Sequence, residues 1–214
     1  SPGVFMPATE RYNIAHLVDK FVVTRTLSWL DEHPEQVAHL DRVSINVSGQ
    51  SVGNQDFMTT LKDALQQSNF PNHKICLEIT ETAAIHSIKQ ASQAFTELKS
   101  LGCLVALDDF GSGLSSFGYL KTLPVDIVKI DGIFVREIDQ NESDYVMVRS
   151  INDLAQQMGK VTVAEFVESS AVMACLSKLG VNYGQGYHIG MPKPLSELVD
   201  ELVLEKRTSL AESE

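Results

Sequence analysis

The sequence predicts one α/β domain in which a parallel sheet curls into a (β/α) barrel, and three observations carry that reading. Short apolar runs of strand length recur between helix-length stretches, the pattern of buried parallel strands in β/α units. Each run ends in a carboxylate, an amide or a lysine: Val43-Ser-Ile-Asn46-Val-Ser48, Ile75-Cys-Leu-Glu78-Ile79, Leu104-Val-Ala-Leu-Asp108-Asp109, Asp126-Ile-Val-Lys129-Ile-Asp131, Val161-Thr-Val-Ala-Glu165 and Asn182-Tyr-Gly-Gln185-Gly186. Parallel strands share one C-terminal rim, so these polar ends converge on one acid-rich pocket, the place where barrel enzymes do their chemistry and where a divalent cation is expected.

Taken in order, Asn13 to His33 reads as a helix whose apolar face is Ile14, Leu17, Val18, Phe21, Val22 and Leu27. A strand near Val43, a helix from about Asn54 to Ser68 and a strand near Ile75 follow. Ser87 to Leu101 is helical and stops at Gly102; Ser143 to Met158 is helical and stops at Gly159. Between those helices come the strand after Cys103, a Gly/Ser-rich loop from Phe110 to Ser116 and the strand at Ile127. The Val161 strand, a helix over Ala171 to Leu179, a short strand near Val181 and a last helix over Ser196 to Leu204 complete the order. Residues 205–214 are expected to fray. Six strands result where a full barrel needs eight, so the sheet is open or the chain begins partway into its domain.

Composition narrows the function. At 214 residues, 43% of them apolar, the chain suits one sizeable core. No apolar run approaches the roughly 20 residues that span a bilayer, and Ser1-Pro-Gly-Val-Phe5 has no basic leader, so a cytoplasmic location without direct membrane contact is expected, with any membrane anchor supplied by sequence outside this chain. A net charge of −11 argues against a nucleic-acid partner. Cys76, Cys103 and Cys175 are far apart and set in apolar runs, the pattern of reduced, buried thiols. No His-Glu-x-x-His pattern points to zinc. Asp109-Phe-Gly111 imitates a kinase magnesium motif, but no partner kinase motif accompanies it.

Asp108-Asp109 is the sharpest local signal. Adjacent carboxylates repel unless a cation or a proton lies between them. Alone, the pair before Gly111 and Gly113 reads as turn chemistry; with Asn46 and Glu78 at equivalent strand ends it reads as a hard-metal site with oxygen ligands. Lys129, taken alone, is a rim lysine paired with Asp126 or Asp131. Asn46-Val-Ser48 matches a glycosylation acceptor, here at an expected buried strand end.

Asn46-Val-Ser, Leu77-Glu-Ile-Thr-Glu81, Leu107-Asp-Asp-Phe-Gly-Ser-Gly113, Leu123-Pro-Val-Asp-Ile-Val-Lys-Ile-Asp131, Ala164-Glu-Phe-Val-Glu168 and Gln185-Gly-Tyr187 occur in that order. From about Phe5 to Leu204 the chain resembles the EAL-domain family, metal-dependent phosphodiesterases that open cyclic di-GMP to the linear dinucleotide. The resemblance implies a TIM-type (β/α) barrel and a site holding two Mg²⁺ or Mn²⁺ ions. Asn46, Glu78, Asp108 and Asp109 would ligate metal, and Glu165 and Glu168 would complete or bridge the site. Lys129 would stand near the attacking water, Gln185 would support the metals or the ligand, and Glu81 would hold the loop from Phe110 to Ser116. Two cations about 3.5–4 Å apart can clamp the attacking and leaving oxygens of an in-line displacement. A homodimer and upstream sensory or GGDEF domains are the partners this implies.

Three departures qualify the expectation. The name-giving Glu-Ala-Leu segment is absent, matching the two strands missing from the count, so residues 1–204 are expected to be an EAL-like domain without its first strands. On its own such a fragment would hydrolyse cyclic di-GMP weakly or not at all, and the rival reading is a non-catalytic cyclic di-GMP receptor. Phe166 stands where the family usually carries glycine, and Ser112 and Leu114 replace the usual threonine and tyrosine.

Overall fold

The computed structural model describes residues 2–113 and 117–197. In chain order the elements are α1 (Pro2–Arg11), α2 (Ala15–Glu32), α3 (Pro34–Val37), β1 (Val43–Asn46), α4 (Gly49–Val52), α5 (Gln55–Gln67), β2 (Ile75–Thr80), α6 (Glu81–His86) and α7 (Ile88–Ser100). They continue with β3 (Leu104–Phe110), β4 (Ile127–Ile130), α8 (Gly132–Val135), α9 (Glu142–Gln157), β5 (Val161–Ala164), α10 (Ser170–Leu179) and β6 (Tyr183–Gly184). The loop positions 114–116, most of the expected helix from Ser196 to Leu204, and the tail 205–214 lie outside the described residues.

The six strands form one parallel sheet in sequence order. Successive strands are joined through α-helices, as parallel connections usually are, except β3 and β4, between which residues Phe117–Lys121 form a short 3-10 helix. The sheet curls into a half-barrel: the Arg42 guanidinium, just before β1, lies 5.5 Å from the Tyr183 ring centroid in β6, so a side chain beside one edge strand reaches the other.

Strand alternation gives the sheet two different faces. Outward residues Ile45, Leu77, Ile79, Val105, Leu107, Val128 and Ile130 join Leu27, Leu61, Phe95 and Ile151 of the helices in the main core. Inward residues Cys76, Ala106 and Ile127 form a separate, smaller cluster with Leu104, Val161 and Val163. The outer core dominates stability, since truncating a fully buried side chain such as Phe95 costs about 3–5 kcal/mol.

Helix starts follow local chemistry. Asn54, Asn141 and Ser169 accept backbone N–H bonds at the first turns of α5, α9 and α10, and Gly102 and Gly159 follow α7 and α9 with φ of 91° and 71°. Among the described residues the sequence reading missed α1 and the short helices α3, α4, α6 and α8, each too short or too proline-marked for a periodic signal. The last strand lies at Tyr183–Gly184, just past the expected Val181.

One element is turned from the sequence reading: of its expected apolar face only Leu27 is buried. In α2 the buried positions are Ala15, Asp19, Val23, Leu27 and Leu30, while Leu17 and Phe21 are 56% and 69% exposed. The helix carries a second apolar stripe, Ala15, Val23, Leu27 and Leu30, and this one packs inward. Within it Asp19 accepts the Ser48 N–H at 2.8 Å and the Ser51 hydroxyl at 2.6 Å, which ties the face to α4.

Candidate active site

The inner face of the sheet changes character along the strands. Above the apolar layer of Cys76, Ala106 and Ile127, the next inward positions are Glu78, Asp108 and Lys129, joined by Glu165 just past β5. All four are more than nine-tenths buried. The Lys129 Nζ donates to Glu78 Oε2 at 2.7 Å and lies 2.8 Å from both Asp108 Oδ1 and Glu165 Oε1. An ammonium has three protons, and here each faces a carboxylate from a different strand. The alternative sequence reading fails: Asp126 pairs with Lys99 instead, and Asp131 caps α8 by accepting the Ile133 N–H.

Adjacent strand residues normally point to opposite faces, yet Asp108 and Asp109 both reach this cluster. A bulge permits it. Between Leu107, opposite Val128, and Phe110, opposite Ile130, β3 carries one residue more than β4. Asp109 takes φ 53°, a left-handed conformation that aspartate tolerates better than most residues. Alternation therefore resets, with Leu107 and Phe110 both in the outer core while the two aspartates between them face the pocket.

One carboxylate oxygen from each of Asp108, Asp109 and Glu165 lies within 4.8 Å of the others. With Glu78, four carboxylates share one ammonium, so the fully ionised cluster is formally three charges negative. The ionisation equilibria register that excess. Burial raises Glu165 to about 7, with Asp108 and Asp109 adding to the rise against the pull of Lys129. Burial and the neighbouring Asp108 and Asp131 likewise raise Asp109. Burial alone would depress the Lys129 ammonium, but Glu78 and Asp108, with hydrogen bonds to Asp108 and Glu165, hold it above its ordinary value. Hard oxygen donors in unbalanced negative surroundings fit a divalent cation.

Beside the cluster, Glu81 is buried at the start of α6 and accepts the Gly111 N–H at 2.8 Å and the Tyr119 hydroxyl. It thus ties the segment after β3 to the residues beyond the loop. Tyr119 was not singled out from sequence, because a tyrosine in an apolar run carries no chemical signal until its partner is known.

The remaining expected residues stand at the rim. Asn46 is in register with Glu78 but exposed, since β1 is an edge strand; the buried strand end read from sequence is open. Glu168 is exposed and outside the close oxygen group. Gln185 is exposed, its backbone bonded to Ala164 and Val167. Cys76, beneath Glu78, and Cys103 are buried free thiols, and Cys175 is half-buried.

Comparison with known proteins agrees with this architecture. The family model of the EAL domain matches residues 1–192. The cyclic di-GMP phosphodiesterase PdeB of Shewanella oneidensis is 41% identical over 94% of this chain and 23% of its own length. The cyclic di-GMP phosphodiesterase PdeA of Borreliella burgdorferi is 39% identical over 87% of this chain and 28% of its own length. The chain thus spans about a quarter of the length of the curated relatives it matches. Among solved structures, the PaMucR phosphodiesterase in complex with c-di-GMP superposes with a TM-score of 0.86 at 28% identity, covering 92% of this chain and 86% of that one.

Proposed function

The chain belongs to the EAL-domain family, and on that premise we propose that it carries the site for metal-dependent hydrolysis of cyclic di-GMP to the linear dinucleotide pGpG. The observation that supports this most is the buried set of Asp108, Asp109 and Glu165 oxygens beside Lys129. In this reading Asp108, Asp109, Glu78 and Glu165 hold Mg²⁺ or Mn²⁺, with Asn46 completing the set and Glu168 and Gln185 lining the approach of the dinucleotide. Bound divalent cations supply positive charge against the phosphoryl oxygens and lower the pKa of water within their reach.

Lys129 has a conditional part. All three of its protons face carboxylates, so it can serve a water or a phosphoryl oxygen only when one carboxylate turns away. Glu81 keeps the segment after β3 in place through Gly111 and Tyr119, and with it the left-handed turn at Asp109. The buried apolar layer of Cys76, Ala106 and Ile127 beneath the acids keeps bulk water from that side, which strengthens each of these interactions. The proposed nucleotide substrate supports a cytoplasmic location. The greater length of the relatives supports further sensory or GGDEF segments, and a homodimer is the assembly to test by light scattering.

Full-length protein incubated with Mg²⁺ and cyclic di-GMP tests the proposal. Linear product is expected, and Asp108→Asn is expected to lower turnover by about 10²–10³-fold or more. Wild-type turnover by that variant refutes the assignment, and binding without product favours the receptor reading.

A further inference from the structure

Phe166 is the residue that the proposed chemistry leaves unexplained. It sits directly after Glu165 at the rim, the residue 42% exposed, with φ 53°, a conformation rare for an aromatic residue. The ring lies against Gly132, the first residue of α8. A Cβ added at Gly132 would stand 2.0 Å from Phe166 Cδ2, 2.6 Å from Cγ and 2.9 Å from Cβ. The contact reaches the base of the side chain, so no rotation about its outer bonds relieves it. The Arg136 guanidinium, one turn along, lies 4.0 Å from the ring centroid.

The other side of the segment has no slack either. Val167 is fully buried; its N–H donates to Gln185 O at 3.0 Å and its carbonyl accepts the His188 N–H at 3.0 Å. A Cβ at Gly186 would stand 2.3 Å from Val167 N and 2.4 Å from Val167 O. Upstream, the Glu165 N–H donates to Ile130 O at 3.2 Å. The peptide carrying Glu165 is therefore wedged between the β4–α8 turn and the residues after β6. A side chain added at Gly132 would therefore press on the base of Phe166 and on the backbone that also carries Glu165.

We propose that Phe166 is a positioning residue for Glu165: its ring, seated on Gly132 and beside Arg136, holds the left-handed turn that aims the neighbouring carboxylate at the cation site. The inference rests on the metal-site reading above and adds a residue to it. Side chains resist this backbone conformation and glycine does not. The ring's seat offsets that resistance, and alanine at the same position would meet it with nothing to offset it.

Mn²⁺ affinity of the purified full-length protein, by isothermal titration, tests the proposal, with circular dichroism to establish folding. Phe166→Ala should weaken Mn²⁺ binding by about tenfold or more and lower kcat while leaving KM for cyclic di-GMP in place. Phe166→Tyr and Phe166→Gly should stay within about threefold of wild type, because one keeps the ring's seat and the other adopts the turn freely. Gly132→Ala should also lose about tenfold, and adding Phe166→Gly should recover it. An affinity order following side-chain volume, with glycine below alanine, overturns the positioning role. So does wild-type affinity in Gly132→Ala, or failure of the double variant to recover. Absence of Mn²⁺ binding by wild type, or binding untouched by Asp108→Asn, instead overturns the metal-site reading and the inference with it.

Discussion

At the N-terminal end of the sheet, Asp126 meets Lys99 and accepts the Val105 N–H at 3.0 Å, while Lys160 donates to Val125 O at 2.8 Å. At the C-terminal end, Lys129 faces Glu78, Asp108 and Glu165 together. Both clusters couple lysine to carboxylate between different elements of the fold, yet only one is balanced. Asp126 is matched with a cation and a backbone donor and sits partly in solvent, which suits a structural tie. The upper cluster keeps more acids than its cation neutralises, in deeper burial. An uncompensated buried charge is costly, so it marks the end of the sheet that is built to receive something.

The contrast can be broken most forcefully at Lys129. Lys129→Met leaves buried acids facing one another without a cation, and the metal-free protein should lose about 3–5 kcal/mol in urea unfolding. Turnover should fall as well, whereas added Mn²⁺ should return part of the stability. In the unaltered protein, Mn²⁺ at a hundredfold excess over its Kd should raise stability by about 2.7 kcal/mol, read as a higher Tm. A structural cluster like that of Asp126 would give no such response.

The two ends should also differ in pH dependence. Burial raises the Glu165 carboxyl from 4.5 to about 7, and Asp109 shifts the same way. Stability associated with the protonated form is therefore fully present below pH 4.5 and is lost as pH climbs through about 7. The metal-free protein should show a falling Tm across that window, and saturating Mn²⁺ should flatten the profile. The smallest expected effect is at the other end. Asp126→Asn keeps an acceptor for Val105 and removes a partly exposed ion pair, so it should cost about 0–1 kcal/mol in unfolding and leave Mn²⁺ binding unaltered.

Much of this was legible in the sequence because it depends on local periodicity. Six apolar runs became six strands in order, and the polar residues closing them share one rim, since parallel strands leave that geometry little freedom. The α2 face was misread because Leu17 and Phe21 look like core by spacing, whereas the stripe that packs is Ala15, Val23, Leu27 and Leu30, with Asp19 among them held by two hydrogen bonds from beyond β1. The pairing of Lys129 was similarly illegible: Asp126 and Asp131 are its sequence neighbours, but Glu78 lies 51 residues away.

What the sequence by itself determined is the order of β/α units, the family and the set of acids, because hydrophobic spacing and residue type are properties of the chain alone. Tertiary structure decided which of those acids converge. The extra residue in β3 turns Asp109 to the same face as Asp108, and the wedge between Gly132 and Gly186 sets the direction of Glu165. Both depend on how a backbone torsion is held against its neighbours, and a torsion is chosen by contacts that exist only once the strands lie side by side.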